Sequence, residues 1–296
     1  MKTKVGVAGL GLMGSAIATN LLSQENEVHV YNRTIEKAQP FEQKGAIVHQ
    51  TPSELASAVD ILITSLTDER AVQQIALGNE GFLQALKKDA VWLEMSTIDP
   101  DASVEFAEQS KKLDKNRLEV PIVGNPDMER QRKVILLVGG DRELFEKNEA
   151  FIQQLGNQVL YIGLAGTGLR MKLAVNLYLG LMAETFSEAY VFSRKLGFGP
   201  DAFVNVINQT AHRNFVSEVK GPKIATDDFE TSFSMDNLFK DLRLAKGQVD
   251  KTKAVLPTSE LVFEQFSKAV AAGDGKWDFS AIARQIERLN GLIKDK

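Results

Sequence analysis

Short apolar runs alternate with segments of helical apolar spacing from Val5 to about Ile162. This alternation is typical of βαβ units, in which each apolar run forms a strand of a sheet that helices cover on both faces. We predict strands at Val5–Ala8, Val28–Tyr31, Ala46–His49, Ile61–Ser65, Val91–Met95, Leu118–Pro121, Val134–Val138 and Val159–Ile162. The first half of the chain is therefore expected to be an α/β domain with a doubly wound parallel sheet.

The pattern changes after Gly163. Thr167 to Leu196 contains no proline and predicts one long, largely apolar helix that ends at Gly197. The remainder predicts further helices, with breaks near Gly199-Pro200, Gly221-Pro222, Pro257 and Gly273–Gly275. We expect two domains, residues 1–163 and an all-α C-terminal domain at 164–296. Because the long helix is apolar on most faces, we expect it to be buried and to pack against a partner subunit.

A glycine-rich turn, Gly9-Leu10-Gly11-Leu12-Met13-Gly14, lies between the first predicted strand and the first helix. In this context the first glycine allows a tight turn, the second lets the backbone approach a pyrophosphate, and the third brings helix and strand together. The alternative is an ordinary glycine-rich turn. The flanking strand and helix favour a Rossmann-type dinucleotide site, with Gly9, Gly11, Leu12, Met13 and Gly14 at the cofactor.

The end of the second predicted strand, Asn32-Arg33-Thr34, bears on which nicotinamide is used. An acidic residue here would bond the ribose of NAD and repel the 2′-phosphate of NADP. Asn32 removes that repulsion, Arg33 supplies a charged fork suited to phosphate, and Thr34 adds a hydroxyl. The alternative is that these residues only cap a following helix, Ile35 to Lys44. We expect NADP(H) as the cofactor.

Composition narrows the function further. The 296 residues are 44% hydrophobic and carry a net charge of −4 with both signs interspersed, so we expect neither a nucleic-acid nor a membrane partner. There are no cysteines, and the three histidines show no ligand spacing, so we expect no metal site. No apolar signal region begins the chain, and we expect a cytoplasmic location.

Lys172 and Asn176 are four residues apart and therefore share one face of the long predicted helix. The position of a lysine among the apolar residues of this segment requires an explanation, because burying an unpaired ammonium group is costly. One interpretation is a catalytic ammonium with an orienting amide. The other is a lysine that extends to the surface beside a locally bonded asparagine. The spacing alone leaves both open.

Several motifs occur in the order found in the β-hydroxyacid dehydrogenases, which the whole chain resembles. They are Gly9–Gly14, Glu94-Met95-Ser96-Thr97-Ile98-Asp99-Pro100, Gly166-Thr167-Gly168 with Lys172 and Asn176, and Phe239-Lys240-Asp241-Leu242-Arg243-Leu244-Ala245. The segments Gly168–Asn176 and Lys240–Ala245 look most like the branch of glyoxylate and succinic semialdehyde reductases. The resemblance implies a nicotinamide-dependent oxidoreductase.

The resemblance also implies roles for individual residues. Lys172 would be the general acid or base, and Asn176 would orient the substrate. Lys240 would lie near the nicotinamide, with Asp241 beside it in the substrate pocket, although by itself this pair predicts a surface ion pair. Further contacts are expected from Leu66 and Thr97 to the cofactor and from Phe233 to the substrate, or Phe233 is core packing.

One loop departs from the family. After the sixth predicted strand the family usually has an acidic residue, alanine, proline, valine, serine and two glycines, which bind the substrate carboxylate. This chain has Glu119-Val120-Pro121-Ile122-Val123-Gly124-Asn125 instead. Val123 replaces a hydroxyl and Asn125 adds an amide, so the groups available to the substrate at Val123, Gly124 and Asn125 are altered.

These observations predict an NADPH-dependent enzyme that transfers a hydride between the cofactor and a small aldehyde, keto acid or corresponding hydroxy acid. Imine reduction is an alternative, although imine reductases usually replace the lysine that is present here. A non-catalytic nucleotide-binding oligomerisation module is another. We expect a homodimer or homotetramer, and the sequence leaves the physiological substrate and reaction direction open.

Overall fold

The computed structural model describes residues 2–24 and 26–293. Its strands are β1 (Lys4–Ala8), β2 (Glu27–Tyr31), β3 (Ile47–Val48), β4 (Ile61–Thr64), β5 (Val91–Glu94), β6 (Asn116–Glu119), β7 (Ile122–Val123), β8 (Ile135–Gly140) and β9 (Gln158–Gly163). The helices up to residue 195 are α1 (Leu12–Ser23), α2 (Gln39–Glu42), α3 (Pro52–Ala58), α4 (Glu69–Leu77), α5 (Phe82–Ala85), α6 (Pro100–Lys112), α7 (Pro126–Arg130), α8 (Arg142–Ile152) and α9 (Thr167–Lys195). Beyond it lie α10 (Pro200–Ile207), α11 (Gly221–Ala225), α12 (Met235–Thr252), α13 (Pro257–Ala271) and α14 (Ile282–Leu289).

The strands form one sheet in the order β3-β2-β1-β4-β5-β6-β8-β7, with β9 paired to β8. The pairs from β3 to β6 are all parallel, whereas β8 runs antiparallel to β6 and β7. The order 3-2-1-4-5-6 is that of a Rossmann sheet, and its direction reverses between β1 and β4. Ligands of such sheets bind at the carboxyl ends of the strands beside this reversal.

Each predicted strand corresponds to an observed one, and the sheet is mostly parallel, as predicted. The structure adds the short strand Ile122–Val123 and the antiparallel pairing of β8 with β6 and β7, and one local prediction was wrong. The helix expected over Ile35 to Lys44 is a 3₁₀ turn at Ile35–Lys37 followed by the short helix α2. Pro40 accounts for the break, because its ring cannot follow an uninterrupted helical turn and it has no N–H to donate.

The chain divides into two compact units, residues 1–172 and 173–296. In the first unit, alternate residues of the strands enter different apolar clusters. Val5, Val7 and Ile63 belong to one, and Ala8 and Leu62 belong to the other. Successive strand side chains point to opposite faces, so the sheet is buried on both. The expected boundary near residue 163 stays a prediction about domains.

Local signals explain where the helices of the first unit begin. Thr51 and Glu54 form a reciprocal capping box at α3, with Pro52 in the first turn. At α6, the Asp99 carboxylate accepts a hydrogen bond from the Asp101 amide, and Pro100 follows the cap. These two predicted starts are confirmed.

The second unit is helical, with apolar clusters built around α9, α12, α13 and α14. In α9, Ala183, Phe186 and Tyr190 are buried, but Tyr178 and Phe192 are 62% and 65% exposed. The single chain thus covers only part of the surface of α9, and the expected packing of this helix against a partner subunit stays a prediction. Among the residues described, no helix is both long and apolar enough to span a membrane.

Candidate functional site

The glycine-rich turn has the geometry that a dinucleotide phosphate requires. Gly9 has a φ of +98°, and a Cβ there would lie 2.3 Å from the carbonyl oxygen of Ser65. A Cβ on Gly14 would lie 1.9 Å from the Gly9 carbonyl oxygen, so α1 packs directly on the turn. A Cβ on Gly11, in contrast, would meet nothing within 4 Å among the described residues, and no side chain there caps α1. The residues present fit a pyrophosphate at the amino end of α1.

Asn32 holds this turn against the end of β2. Its Oδ1 accepts a hydrogen bond from the Leu10 amide at 2.9 Å, and its Nδ2 donates to the Thr34 carbonyl at 2.8 Å. The Asn32 amide therefore bonds the backbone on both sides, while the neighbouring Arg33 and Thr34 side chains are exposed. A phosphate beyond β2 would meet Arg33 and Thr34 rather than a carboxylate.

A buried carboxylate positions the turns that follow β4 and β5. Glu94 Oε2 accepts from the Thr64 hydroxyl at 2.8 Å, and Oε1 accepts from the Ser96 amide at 2.7 Å. The Ser96 hydroxyl in turn accepts from the Leu66 amide at 2.8 Å. Burial raises the pKa of Glu94, and the Arg117 charge and the hydrogen bonds oppose this shift without cancelling it. Leu66 and Thr97, the predicted cofactor contacts, thus lie on turns that share one hydrogen-bonded network.

The predicted catalytic residues lie on one helix, α9. Lys172 is 7% exposed and Asn176 is 3% exposed, so the interpretation in which Lys172 extends to the surface does not fit the structure. Asn176 Nδ2 donates to Asp241 Oδ2 at 2.6 Å. Because an ionised carboxylate only accepts, this bond fixes which end of the amide faces Asp241.

Lys240 completes this group on α12. Its Nζ lies 3.0 Å from Asp241 Oδ1. Asp241 is buried, so the pair is not the surface ion pair that the two residues predict by themselves. An amide and an ammonium thus flank one buried carboxylate in the second unit.

The loop at Val123–Asn125, whose sequence differs from the family pattern, has structural roles in this chain. Val123 lies in β7, paired with Ile135 of β8. Asn125 caps α7, because its side chain accepts a hydrogen bond from the Met128 amide at 2.9 Å. Gly124 has a φ of +153°, and a Cβ there would lie 2.6 Å from the Val134 side chain. The Asn125 oxygen is therefore engaged by the protein, and a substrate role for this loop stays a prediction.

Phe233 lies in the second unit on the segment before α12. Its amide donates to Asp278 Oδ2 at 3.2 Å, and its carbonyl accepts from the Phe279 amide at 2.9 Å. The rings of Phe233 and Phe279 meet edge to face, with centroids 6.2 Å apart. Two hydrogen bonds thus hold the backbone of Phe233 in place, while its side chain is half-buried.

Sequence reasoning missed three buried charged residues, Glu94, Glu119 and Asp278. Each ends or interrupts an apolar run, as Glu94 does in Val91-Trp92-Leu93-Glu94-Met95. That signal was available, because a carboxylate buried among apolar residues needs hydrogen-bond donors. The hydrogen-bond partners of these carboxylates could not be predicted, because most of the partners lie far from them in the sequence. Within residues 2–24 and 26–293, no group of three or more metal-ligating side chains comes together.

Two families match successive parts of the chain. Residues 4–163 match the NAD binding domain of 6-phosphogluconate dehydrogenase, and residues 166–286 match the NAD-binding family of NADP-dependent 3-hydroxyisobutyrate dehydrogenase.

Several proteins match this chain over nearly its whole length. Glyoxylate/succinic semialdehyde reductase 1 of Arabidopsis thaliana is 31% identical over 284 residues, covering 96% of this chain and 98% of that protein. The chloroplastic reductase 2 of the same plant is 30% identical over 283 residues, covering 96% of this chain and 79% of its own. The human cytokine-like nuclear factor N-PAC is 31% identical over 281 residues, which are 95% of this chain and 51% of that protein.

Solved structures share the fold. The Mycobacterium tuberculosis 3-hydroxyisobutyrate dehydrogenase with L-serine superposes with a TM-score of 0.86 at 24% identity, covering 97% of this chain and 99% of the other. An imine reductase from a Pseudomonas species gives 0.65 at 20% identity, covering 97% and 100%. The predicted α/β sheet followed by a helical region is confirmed.

Proposed function

Because this chain belongs to the β-hydroxyacid dehydrogenase family and is an NAD(P)-dependent oxidoreductase, we propose that it uses NADP(H) to interconvert a small aldehyde or keto acid and the corresponding alcohol. The observation that carries the proposal is the buried Lys172 one helical turn before Asn176, whose amide bonds Asp241. Lys172 is the general acid, and Asn176 orients the substrate.

The cofactor would be held by the first unit. The open position at Gly11 and the uncapped start of α1 suit a pyrophosphate. Leu12, Met13, Leu66 and Thr97 would contact the rest of the dinucleotide. Arg33 and Thr34 would receive the 2′-phosphate, since Asn32 brings no negative charge and its amide holds the turn. Lys240 would approach the nicotinamide.

The proposed chemistry needs a proton as well as a hydride. Bound NADPH would supply the hydride to the carbonyl carbon of the substrate. The Lys172 ammonium stabilises the negative charge that develops on the carbonyl oxygen, and then transfers a proton to it to give the alcohol. Asn176 limits the angles at which the carbonyl is held, because Asp241 orients its amide. In the reverse direction, neutral Lys172 accepts the proton.

The substrate class follows from the relatives and from the altered loop. Two relatives carry names that specify glyoxylate and succinic semialdehyde. Val123 provides no hydroxyl, and the Asn125 side chain already caps α7. We infer that the substrate is a small carbonyl compound whose carboxylate is bonded differently from that of the usual hydroxy acid. The proposed substrate contacts are Val123, Gly124 and Asn125 in the first unit and Phe233 and Asp241 in the second.

An NADPH oxidation screen tests the proposal with glyoxylate, succinic semialdehyde, methylmalonate semialdehyde and a cyclic imine. Lys172→Ala should lose kcat by several orders of magnitude while binding NADPH normally. Lys195→Ala, which removes an exposed lysine at the other end of α9, is the matched control and should keep full activity. Equal rates for the wild type and Lys172→Ala would remove Lys172 from the mechanism.

The cofactor preference has its own test. Arg33→Ala should weaken NADPH binding about tenfold or more and leave NADH binding nearly unchanged, because it removes a charged contact to the 2′-phosphate. Arg142→Ala, an exposed arginine at the start of α8, controls for the loss of surface charge. An unchanged ratio of the two dissociation constants would contradict the NADP assignment.

The screen also separates the alternatives. Turnover of the cyclic imine alone would favour an imine reductase, an activity that one structural neighbour carries in its name. NADPH binding without turnover of any compound would favour a nucleotide-binding oligomerisation module. The retained Lys172 and Asn176 support catalysis of carbonyl reduction over both. The homodimer or homotetramer and the cytoplasmic location stay predictions.

A further inference from the structure

Glu119 lies at the end of β6 with its carboxylate directed at the beginning of α9. Its Oε2 accepts a hydrogen bond from the Gly166 amide at 2.8 Å, and its Oε1 accepts from the Gly168 amide at 2.8 Å. The Leu169 amide lies at a longer distance, 3.4 Å from Oε1. The first N–H groups of a helix lack partners within the helix, and a negative charge is favourable there. One carboxylate therefore satisfies the start of a 29-residue helix.

The cap comes from a distant part of the chain rather than from α9 itself. Gly166 is separated from Glu119 by 47 positions. The local hydroxyl, on Thr167, donates backwards to the Leu164 carbonyl, so it does not cap the helix. A local cap would satisfy the amides but would not attach them to the sheet. Glu119 does both, because it is a residue of β6.

The surrounding backbone is shaped for this carboxylate. A Cβ on Gly139 would lie 2.3 Å from Glu119 Oε1. A Cβ on Gly168 would lie 3.2 Å from the same oxygen and 3.0 Å from the Leu137 carbonyl oxygen. Two glycines on different elements thus leave room for one side chain. This close fit limits how far the first turn of α9 can move relative to β6 and β8.

A hydroxyl group also holds the Glu119 carboxylate. The Ser103 hydroxyl donates to Glu119 Oε2 at 2.5 Å and accepts from Arg117 Nη2 at 2.9 Å. Arg117 is buried and lies over the Trp92 ring at 4.8 Å. Both oxygens of Glu119 are therefore held, and the buried negative charge has a cation one hydroxyl away.

We propose that Glu119 is a positioning residue for Lys172: it anchors the first turn of α9 to the sheet, and thereby sets where the lysine side chain starts. Lys172 follows Gly168 by four residues, about one helical turn. A shift of the turn would be transmitted to the Lys172 Cα. Displacements of about 1 Å in an active site can lower rates about 100-fold. This inference rests on the proposed role of Lys172.

The test measures kcat, KM and the NADPH dissociation constant of Glu119→Gln, with the best carbonyl substrate of the screen. Gln has nearly the same shape but only one accepting oxygen, so one of the two short backbone bonds is lost. We expect kcat to fall about 30- to 100-fold, with the NADPH dissociation constant changed less than about threefold. Glu119→Asp keeps both oxygens but shortens the side chain by one methylene, so its carboxylate should miss at least one of the two amides and kcat should again fall about tenfold or more.

Asp141→Asn is the matched control. Asp141 caps α8 by accepting from the Leu144 amide at 2.8 Å, and that helix carries none of the proposed site residues. It should leave kcat and stability nearly unchanged, because asparagine caps helices about as well as aspartate, and it therefore separates positioning at Glu119 from a general effect of changing a capping carboxylate to an amide. If Glu119→Gln does not fold, Ser103→Ala decides instead. We then expect a fall in kcat of about threefold or more, with unchanged NADPH binding.

Two outcomes would overturn the inference, and they differ from failure of the proposed function. One is a kcat for Glu119→Gln within threefold of wild type while Lys172→Ala is inactive. The other is a kcat for Glu119→Asp within about threefold of wild type, although its shorter side chain withdraws the carboxylate from the two amides. Full activity of Lys172→Ala would instead refute the catalytic role itself, and with it any need to position that lysine.

Discussion

Each unit of this protein contains a buried carboxylate that holds backbone amides, and the two differ in how their charge is balanced. In the first unit, Glu119 accepts from the Gly166 and Gly168 amides. In the second, Asp278 Oδ2 accepts from the Ser232 and Phe233 amides at 3.1 and 3.2 Å. Both arrangements tie a segment with a proposed functional residue to a distant part of the chain.

A serine bridges the carboxylate and a cation in both clusters. Ser103 links Glu119 to Arg117, and Ser232 accepts from Lys220 at 2.9 Å while donating to Asp278 at 3.0 Å. Only in the second unit does the cation also contact the carboxylate directly, with Lys220 Nζ 2.8 Å from Asp278 Oδ2. Among the described residues, Arg117 makes no such ion pair with Glu119.

The difference shows two ways of keeping a buried charge tolerable. Asp278 relies on a counter-ion, and Lys220 is itself buried, so each charge depends on the other. Glu119 relies on oriented N–H groups at the start of a helix, and Arg117 reaches it only through the Ser103 hydroxyl. The Asp278 cluster should be more sensitive to loss of its cation. The Glu119 cluster should be more sensitive to loss of its bridging hydroxyl.

The largest effect is expected from Lys220→Met, which leaves Asp278 buried without its counter-ion. The free energy of unfolding should fall by about 3 to 5 kcal/mol, measured by urea denaturation. Lys87→Met breaks an ion pair whose side chains are 43% and 54% exposed, and it should cost less than about 1 kcal/mol. Similar losses in the two variants would contradict the dependence of Asp278 on Lys220.

The pH dependence of this pair has a definite sign. Burial raises the pKa of Asp278, but the charge and hydrogen bond of Lys220 and the bonds from Ser280 outweigh it, so the pKa lies below its ordinary value. The stabilisation is therefore present above the unfolded-state pKa and is lost as the pH falls through the folded-state pKa. In Lys220→Met this acid loss should diminish.

Glu184 on α9 is a buried carboxyl of a different kind, because neither of its oxygens has a hydrogen-bond partner among the described residues. Burial, assisted by the charge of Glu188, raises its pKa from 4.5 to about 8. A raised carboxyl pKa destabilises the fold progressively as the pH rises from about 4.5 to about 8. At pH 7 the penalty is on the order of 3 kcal/mol, because most of the interval between 4.5 and about 8 has been crossed and each pH unit contributes about 1.4 kcal/mol.

Glu184→Gln should remove this penalty. The variant should match the wild type near pH 4.5 and exceed its unfolding free energy by about 3 kcal/mol at pH 7, since the amide has no charge to bury. Urea titrations at several pH values measure the gap. Glu188→Gln, one turn away and exposed, is the comparison variant and should give a smaller gain, because its charge is the lesser of the two causes that raise the Glu184 pKa. A gap that does not grow with pH would show that Glu184 is charged without cost.

The smallest effects distinguish the two serines. Ser103→Ala breaks the observed link between Arg117 and Glu119 and should cost about 2 kcal/mol. Ser232→Ala leaves Lys220 in direct contact with Asp278 and should cost about 1 kcal/mol. Urea denaturation of both variants under one condition gives the order. If Ser232→Ala were the more destabilising, the distinction between direct and indirect charge balance would be wrong.

Much of the fold could be predicted because its signals are local. Strand positions follow from apolar runs, and the starts of α3 and α6 follow from Thr51-Pro52 and Asp99-Pro100. The three glycines of the first turn have the separate geometries that their spacing predicts. The shared helical face of Lys172 and Asn176 needed only the helical repeat. The break at Pro40 is also a local signal, because proline interrupts a helix wherever it lies beyond the first turn.

Local residue patterns were sufficient to predict the α/β region followed by a helical region, the dinucleotide turn, and the position of Lys172 and Asn176 on one helix. These depend on residues within a few positions of one another, whose geometry is set by backbone periodicity. Three contacts required the folded chain: the bond from Asn176 to Asp241, the cap of α9 by Glu119, and the pair formed by Asp278 and Lys220. Their partners are 65, 47 and 58 positions away, and folding alone brings such groups within hydrogen-bond distance.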